Sequence, residues 1–264
     1  MENPVVAGVL VALIVPFLGN TLGAALVFLM RHGMSERFTK ALLGFAAGVM
    51  IAASVWSLIT PALEAAEGGP VPAWAPAAVG FLGGMFLLLA IDHFTPHLHL
   101  GSDEPEGPVT TLKKPTMMLF ALAIHNLPEG MAVGVVLAGF LAGDPTITLA
   151  SVVALSLGIA IQNVPEGAVV SLPLTANGMS RPKAFLAGTL CGAVEPVGAV
   201  LMVAITGLVT PLLPYVLAFA AGAMMYVVTE ELIPQTQQGR HTNIGTIGVA
   251  FGFALMMVLD VALG

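Results

Sequence analysis

Residues 115–142 read PTMMLFALAIHNLPEGMAVGVVLAGFLA and residues 146–174 read TITLASVVALSLGIAIQNVPEGAVVSLPL. Each stretch is long enough to cross about 30 Å of hydrocarbon as a helix. Each nevertheless holds acid, amide and proline near its middle, HNLPEG at 125–130 and QNVPEG at 162–167, identical at four of six positions. One short connection joins the two, so the helices run antiparallel and the copies face each other at similar depth. Two copies of one motif make one site.

In each copy the proline removes a backbone donor and crowds the preceding turn, which frees the carbonyls of Ile124 and Ile161 from helical bonding. Irregular backbone at membrane depth is tolerated where it lines a polar cavity, and broken helices of this kind build midplane ion sites. The pattern therefore predicts that the fourth and fifth spans are broken at Pro128 and Pro165. His125 and Glu129 share one helical face, as do Gln162 and Glu166, with Asn126 and Asn163 beside them and Glu195 of the sixth span adding a third carboxylate. A carboxylate at mid-bilayer costs about 2.5–3.5 kcal/mol on insertion scales, so three of them require a bound cation or protons. Polar residues that merely glue helices together do not account for two repeated N-x-P-E-G cores plus His125 and Glu195. Three potential negative charges suit a divalent ion better than Na⁺ or K⁺. Imidazole, carboxylate and amide together suit zinc, iron, manganese or cadmium, whereas Mg²⁺ prefers oxygen and retained water. The carboxylates also leave room for two neighbouring ions bridged by Glu129 and Glu166.

Working outward, the chain has 264 residues, 57% hydrophobic and 9% charged, against roughly 25% charged in a soluble domain. A hydrophobic core stops growing near this size, so the apolar excess must face lipid. Further apolar segments at 4–30, 41–63, 73–91, 184–209, 212–229 and 244–263 bring the expected spans to eight, an all-α integral membrane protein in one transmembrane domain, 1–264. The apolar run after Met1 lacks a basic leader and exceeds a signal peptide's core, so it reads as a retained span. Cys191 is the only cysteine, which excludes a disulfide within the chain and a Cys-rich metal site. Four residues before Glu195, it reads as a packing residue. The bilayer and divalent ions are the expected partners; nucleic acid is not.

Lys and Arg are retained on the cytoplasmic side during insertion. Arg31, Arg37, Lys40, Lys113, Lys114, Arg181, Lys183 and Arg240 all fall on one set of connections. Both termini are therefore expected outside. Trp56 and Trp74 fit an outer aromatic belt, and Glu2, Glu64, Glu67, Asp144 and Asp260 give that face acids without bases. Such a face attracts cations, although outer loops are acidic whenever bases are kept inside.

Five of six histidines, His32, His93, His97, His99 and His241, fall on the other face. Four candidate ligands cluster in DHFTPHLH, residues 92–99, where Asp92, His93, His97 and His99 can hold metal loosely without the spacing of a tight tetrahedral site. Glu230 and Glu231 end the seventh span. An intramembrane metalloprotease is the enzyme alternative, but no H-e-x-x-H pattern or G-x-S-x-G elbow is present, so no catalytic residue or cofactor is assigned. A metal-selective channel would use the same ligands; tight ligands oppose the fast exit that conduction needs.

At these residues the sequence resembles the ZIP (Zrt-, Irt-like) family of metal-ion transporters, whose fourth and fifth helices bear HNxPEG and a second PEG motif. The resemblance covers essentially the whole chain. It implies that His125, Asn126, Glu129, Gln162, Asn163, Glu166 and Glu195 line a one- or two-metal transport site, with Met50 a further ligand. Some members carry aspartate where this chain has Asn163, an amide that weakens the second position. The resemblance further implies an entrance at Ser57, Glu64 and Asp260, a release or sensing site at Asp92, Glu231 and His241, a homodimer, and a bundle of spans one, four, five and six moving against the rest. The compact chain suits a bacterial inner membrane, with zinc uptake by an alternating-access carrier the expected activity.

Topology is directly testable. In a Cys191→Ala background, a cysteine at Glu67 should react with an impermeant thiol reagent in intact cells and one at Ser102 should not; labelling of position 102 from outside would invert the assignment.

Overall fold

The computed structural model describes residues 3–30, 34–98, 106–112, 114–176, 178–208, 212–239 and 242–263. Among them, eight helices are long and apolar enough to span a bilayer: Pro4–Leu29, Glu36–Ala65, Trp74–Phe94, Thr116–Ala142, Leu149–Ala176, Arg181–Ile205, Leu213–Gln237 and Ile244–Leu263. They are called here the first to eighth spans.

The spans form two shells. In the apolar windows of the fourth and fifth, 72% of residues are buried, and 67% in the second and seventh, whereas the first, third, sixth and eighth range from 22% to 39%. The first set is thus central and the second lipid-facing, with Leu22, Phe86, Phe251 and Val261 presented outward. This sorting follows from the sequence: every acid near mid-span except Glu195 lies on a central helix, where protein rather than hydrocarbon surrounds it.

Lipid offers no hydrophobic drive to pair helices, so close backbone approach through small residues must do it. Each peripheral helix is zipped to one central helix in this way. Gly19 and Gly23 of the first span press on the carbonyls of Ala160 and Val164 in the fifth, and Gly44 and Gly48 of the second press on Gly245 and Val249 in the eighth. Gly80 and Gly84 of the third meet Tyr215 and Phe219 in the seventh, and Gly130 and Gly134 of the fourth meet Glu195 and Ala199 in the sixth. At every one of these positions a Cβ would collide with backbone that cannot give way.

The prolines behave differently from the sequence expectation. The fourth span runs through Pro128, and the fifth through Pro165 and Pro173, as continuous helices. A proline deletes one donor of the ladder, and the helical turns on either side of it continue without a break. The irregularities lie elsewhere. The second span passes through a π-helical turn at Ser54–Ile59 and the seventh through another at Val228–Leu232. Pro61 and Pro234 follow these turns, and Ser54 and Thr229 donate their hydroxyls back to the carbonyls of Met50 and Met225, both at 2.8 Å. Ala193 interrupts the sixth span between Arg181–Gly192 and Val194–Leu208, two residues before Glu195.

Gly83 and Gly84 test the zipper side by side. A Cβ at Gly83 meets only a Phe219 ring carbon at 3.5 Å, whereas one at Gly84 lands on the Phe219 carbonyl. Gly84→Ala should lower the melting temperature in detergent by about 5 °C or more and Gly83→Ala by under about 2 °C; equal effects would show that close approach does not hold the third span.

Candidate metal-transport site

The motif side chains converge at the middle of the bundle. His125, Asn126 and Glu129 come from the fourth span, Gln162, Asn163 and Glu166 from the fifth and Glu195 from the sixth, and none is more than 8% exposed. The glycine that ends each motif sets this up. Gly130 lets the fourth span lie directly on the backbone of Glu195, and Gly167 lets the fifth lie on the Asn20 carbonyl of the first. Asn20 in turn donates to the Gly188 carbonyl at 2.9 Å, tying the sixth span to the same group.

Few donors serve the acids. Gln162 donates its amide to Glu129 Oε1 at 2.6 Å and to Asn163 Oδ1 at 3.2 Å, while Asn163 spends its own amide on the Pro16 carbonyl at 3.3 Å. The Glu166 carboxyl meets that of Glu129, and Glu195 lies beside the pair. Asn163 approaches Glu195, but no hydrogen bond within 3.5 Å reaches either of its oxygens. Asn126 Oδ1, Glu129 Oε2, Gln162 Oε1 and both oxygens of Glu195 thus stay without a donor among the described residues. No Lys or Arg occurs between residues 115 and 180 to supply one. Buried acceptors that no protein donor satisfies are costly. Five in one cluster are oxygens a cation can coordinate.

Sequence comparison identifies the chain's relatives. Residues 113–260, more than half of the chain, match the family described as ZIP zinc transporter. Zinc transporter ZIPB of Bordetella bronchiseptica is 42% identical over 94% of this chain and 79% of its own length. Zinc transporter ZIP11 of Xenopus tropicalis is 37% identical over 92% and 93%, and zinc transporter ZupT of Chlorobium phaeovibrioides is 36% identical over 90% and 91%. The chain belongs to the ZIP family.

In this ZIP protein the imidazole of His125 pairs with the carboxylate of Glu231, which the π turn of the seventh span carries inward. The resemblance groups Glu231 with Asp92 and His241; in the structure it lies beside His125. Glu231 is buried and Glu230 exposed. Met50 is fully buried in the core shared with Met131 and Val169, one residue row before the π turn of the second span. His99 and His241 lie outside the described residues.

At one end of the bundle, Ser57 donates to Asp260 Oδ1 at 2.6 Å, and these residues with Glu64 line a cavity of about 260 Å³. Thr60, Thr146 and Ser151 complete its polar wall and were not singled out from sequence. At the other end, Asp92 and His97 meet Glu106, with ligand atoms all within 4.8 Å of one another. His97 Nε2 lies 3.0 Å from Asp92 Oδ1, its Nδ1 lies 2.7 Å from the Thr95 carbonyl, and the backbones of His97 and Glu106 bond reciprocally. Gly107 permits this fold-back, with φ of +78° and its α-carbon against the Thr95 carbonyl. His93 takes no part: it is exposed and sits edge-on to Phe94.

These positions separate by experiment. In equilibrium zinc binding to purified protein, His97→Ala and Glu106→Gln should each remove weakly held metal and His93→Ala should remove none. The triple variant His93→Ala, His97→Ala, His99→Ala should keep most of its uptake, and complete loss in a folded protein would move this cluster into the transport path itself.

Proposed function

We propose that this chain takes up divalent transition-metal ions, zinc first, by alternating access around a site formed by Met50, His125, Asn126, Glu129, Gln162, Asn163, Glu166 and Glu195. The observation that carries the reading is the set of five buried acceptor oxygens left without donors around three carboxyl groups. Such a set is stable in hydrocarbon only when a cation or protons neutralise it. His125 and the amides turn the preference toward a transition metal. The zinc transporters among its relatives support the same cargo.

The helix pairs support the mechanism. First with fifth and fourth with sixth form one group, joined by Asn20 and by the cluster itself. Second with eighth and third with seventh form the other. The ligands, Met50 apart, ride on the first group, so relative movement of the groups carries the ion with its ligands and exposes it alternately to either side. The acidic cavity at Ser57, Glu64 and Asp260 is the entrance and the Asp92–His97–Glu106 cluster a release or sensing position. The basic residues orient the termini outward, in a bacterial inner membrane, with the protein a homodimer. Glu129 and Glu166 bridge two ions when both positions fill, and Asn163 makes the second the weaker.

Glu166→Gln decides the reading. It removes a ligand charge in a low-dielectric site, so zinc flux into proteoliposomes should fall to background. The melting temperature without metal should hold or rise, because an uncompensated acid is costly there. Saturating zinc should stabilise the wild type, by about 2.7 kcal/mol at a hundredfold excess over its dissociation constant, and the variant far less. Near wild-type flux with an unchanged metal-induced shift would make Glu166 a packing residue. Saturating, slow flux marks a carrier, and single-channel currents a channel.

A further inference from the structure

The first span contributes no ligand, yet two of its groups reach the helices that do. The Pro16 carbonyl accepts the amide of Asn163 at 3.3 Å. One turn further on, Asn20 is 2% exposed where the first, fifth and sixth spans meet. Its carboxamide nitrogen donates to the Gly188 carbonyl of the sixth span at 2.9 Å. A Cβ at Gly192 would collide with that nitrogen, and one at Gly167 of the fifth span would collide with the Asn20 backbone and stand 2.9 Å from its amide oxygen. The two glycines thus leave the space that one asparagine fills. Gly167 follows Glu166 directly, and Gly192 stands three residues before Glu195.

The sixth span depends on such a fastening. Pro196 supplies no donor to the Gly192 carbonyl one turn back, and the helix is interrupted at Ala193, between Arg181–Gly192 and Val194–Leu208. Helical bonding therefore does not by itself fix the half that carries Glu195 to the half before it. Leu186, Leu190, Val197 and Leu201 of this span are presented outward, and lipid supplies no drive to press it in. Gly130 and Gly134 fasten the Glu195 half to the fourth span. Asn20 fastens the turn before the break to the first and fifth.

We propose that Asn20 is a positioning residue that sets the spacing between Glu166 and Glu195, and through it the size of ion that the site accepts. The proposal rests on the transport reading above. Zinc needs its oxygen ligands at about 2.0–2.2 Å, so carboxylates on two helices grip it together only when those helices are held close. Without the Asn20 donor the sixth span settles farther from the fifth. Zinc then loses one of the two contacts, whereas cadmium, a larger ion, still spans the gap. Groups that orient metal ligands without touching the ion change affinity by about 10- to 100-fold when removed. The alternative is that Asn20 is polar glue, a buried amide that holds helices together with no consequence for ion choice.

Half-saturation for zinc and for cadmium, measured side by side in proteoliposomes, separates the two. Asn20→Leu keeps the bulk and removes the donor. It should raise half-saturation for zinc by about 10-fold and for cadmium by under about 3-fold, which moves preference toward the larger ion. Gly192→Ala reaches the same contact from the other helix: its methyl displaces the Asn20 amide, so preference should shift in the same direction with Asn20 intact. Where Asn20→Leu fails to fold, Asn20→Ser, which is smaller and falls short of the Gly188 carbonyl, takes its place beside Gly192→Ala. A lower melting temperature with equal loss for both ions, or an unchanged zinc-to-cadmium ratio, makes Asn20 glue and overturns the proposal. Wild-type flux no greater than that of Glu166→Gln would instead defeat the transport reading on which the proposal rests.

Discussion

A carboxylate in hydrocarbon must find a countercharge, and three of them in one chain cannot find it among side chains that lack Lys and Arg at that depth. The arrangement of the bundle answers this constraint. The acids are kept on, or pressed against, four central helices, and four others screen them from lipid. Screening works only if the outer helices come close, which is why glycine recurs at four-residue spacing on one partner of every pair. The same two glycines that end the PEG motifs bring Glu195 and Asn20 to the site. The polar cluster and the packing are thus built into one hexapeptide, and neither can be altered without moving the other.

The π turns extend this logic to the helices that contribute no motif. A π turn inserts an extra residue into the ladder and is retained where it redirects a side chain. In the seventh span it brings Glu231 onto His125; in the second it follows buried Met50 and contains Ser57, the partner of Asp260. Both π turns therefore occur on helices that carry neither motif, while the fourth and fifth helices stay continuous through their prolines.

Much of this was legible in the sequence. Eight helices follow from apolar length, and the convergence of residues 125–130 with 162–167 follows from repetition on antiparallel neighbours. The expected breaks at Pro128 and Pro165 were not found, because a missing donor shows in sequence whereas the flanking contacts that preserve a helix do not. The contact of Glu231 with His125 is hidden for a related reason: a π turn rotates everything after it, and the spacing of residues along a helix does not show one. The prolines at positions 61 and 234 were the available signal. Glu106 was missed because it joins Asp92 and His97 through a reversal of the chain that depends on Gly107. The ZIP family itself was readable from the two motifs, since HNxPEG and a second PEG motif stand on adjacent antiparallel helices.

Because each outer helix is zipped to an inner one along several turns, no single helix can answer a change in bilayer thickness by tilting alone. A thinner or thicker host membrane must tilt a pair, and the fourth and fifth helices carry their ligands with them. Acyl-chain length thereby becomes a determinant of the distances among Glu129, Glu166 and Glu195, set from beyond the protein's own surface.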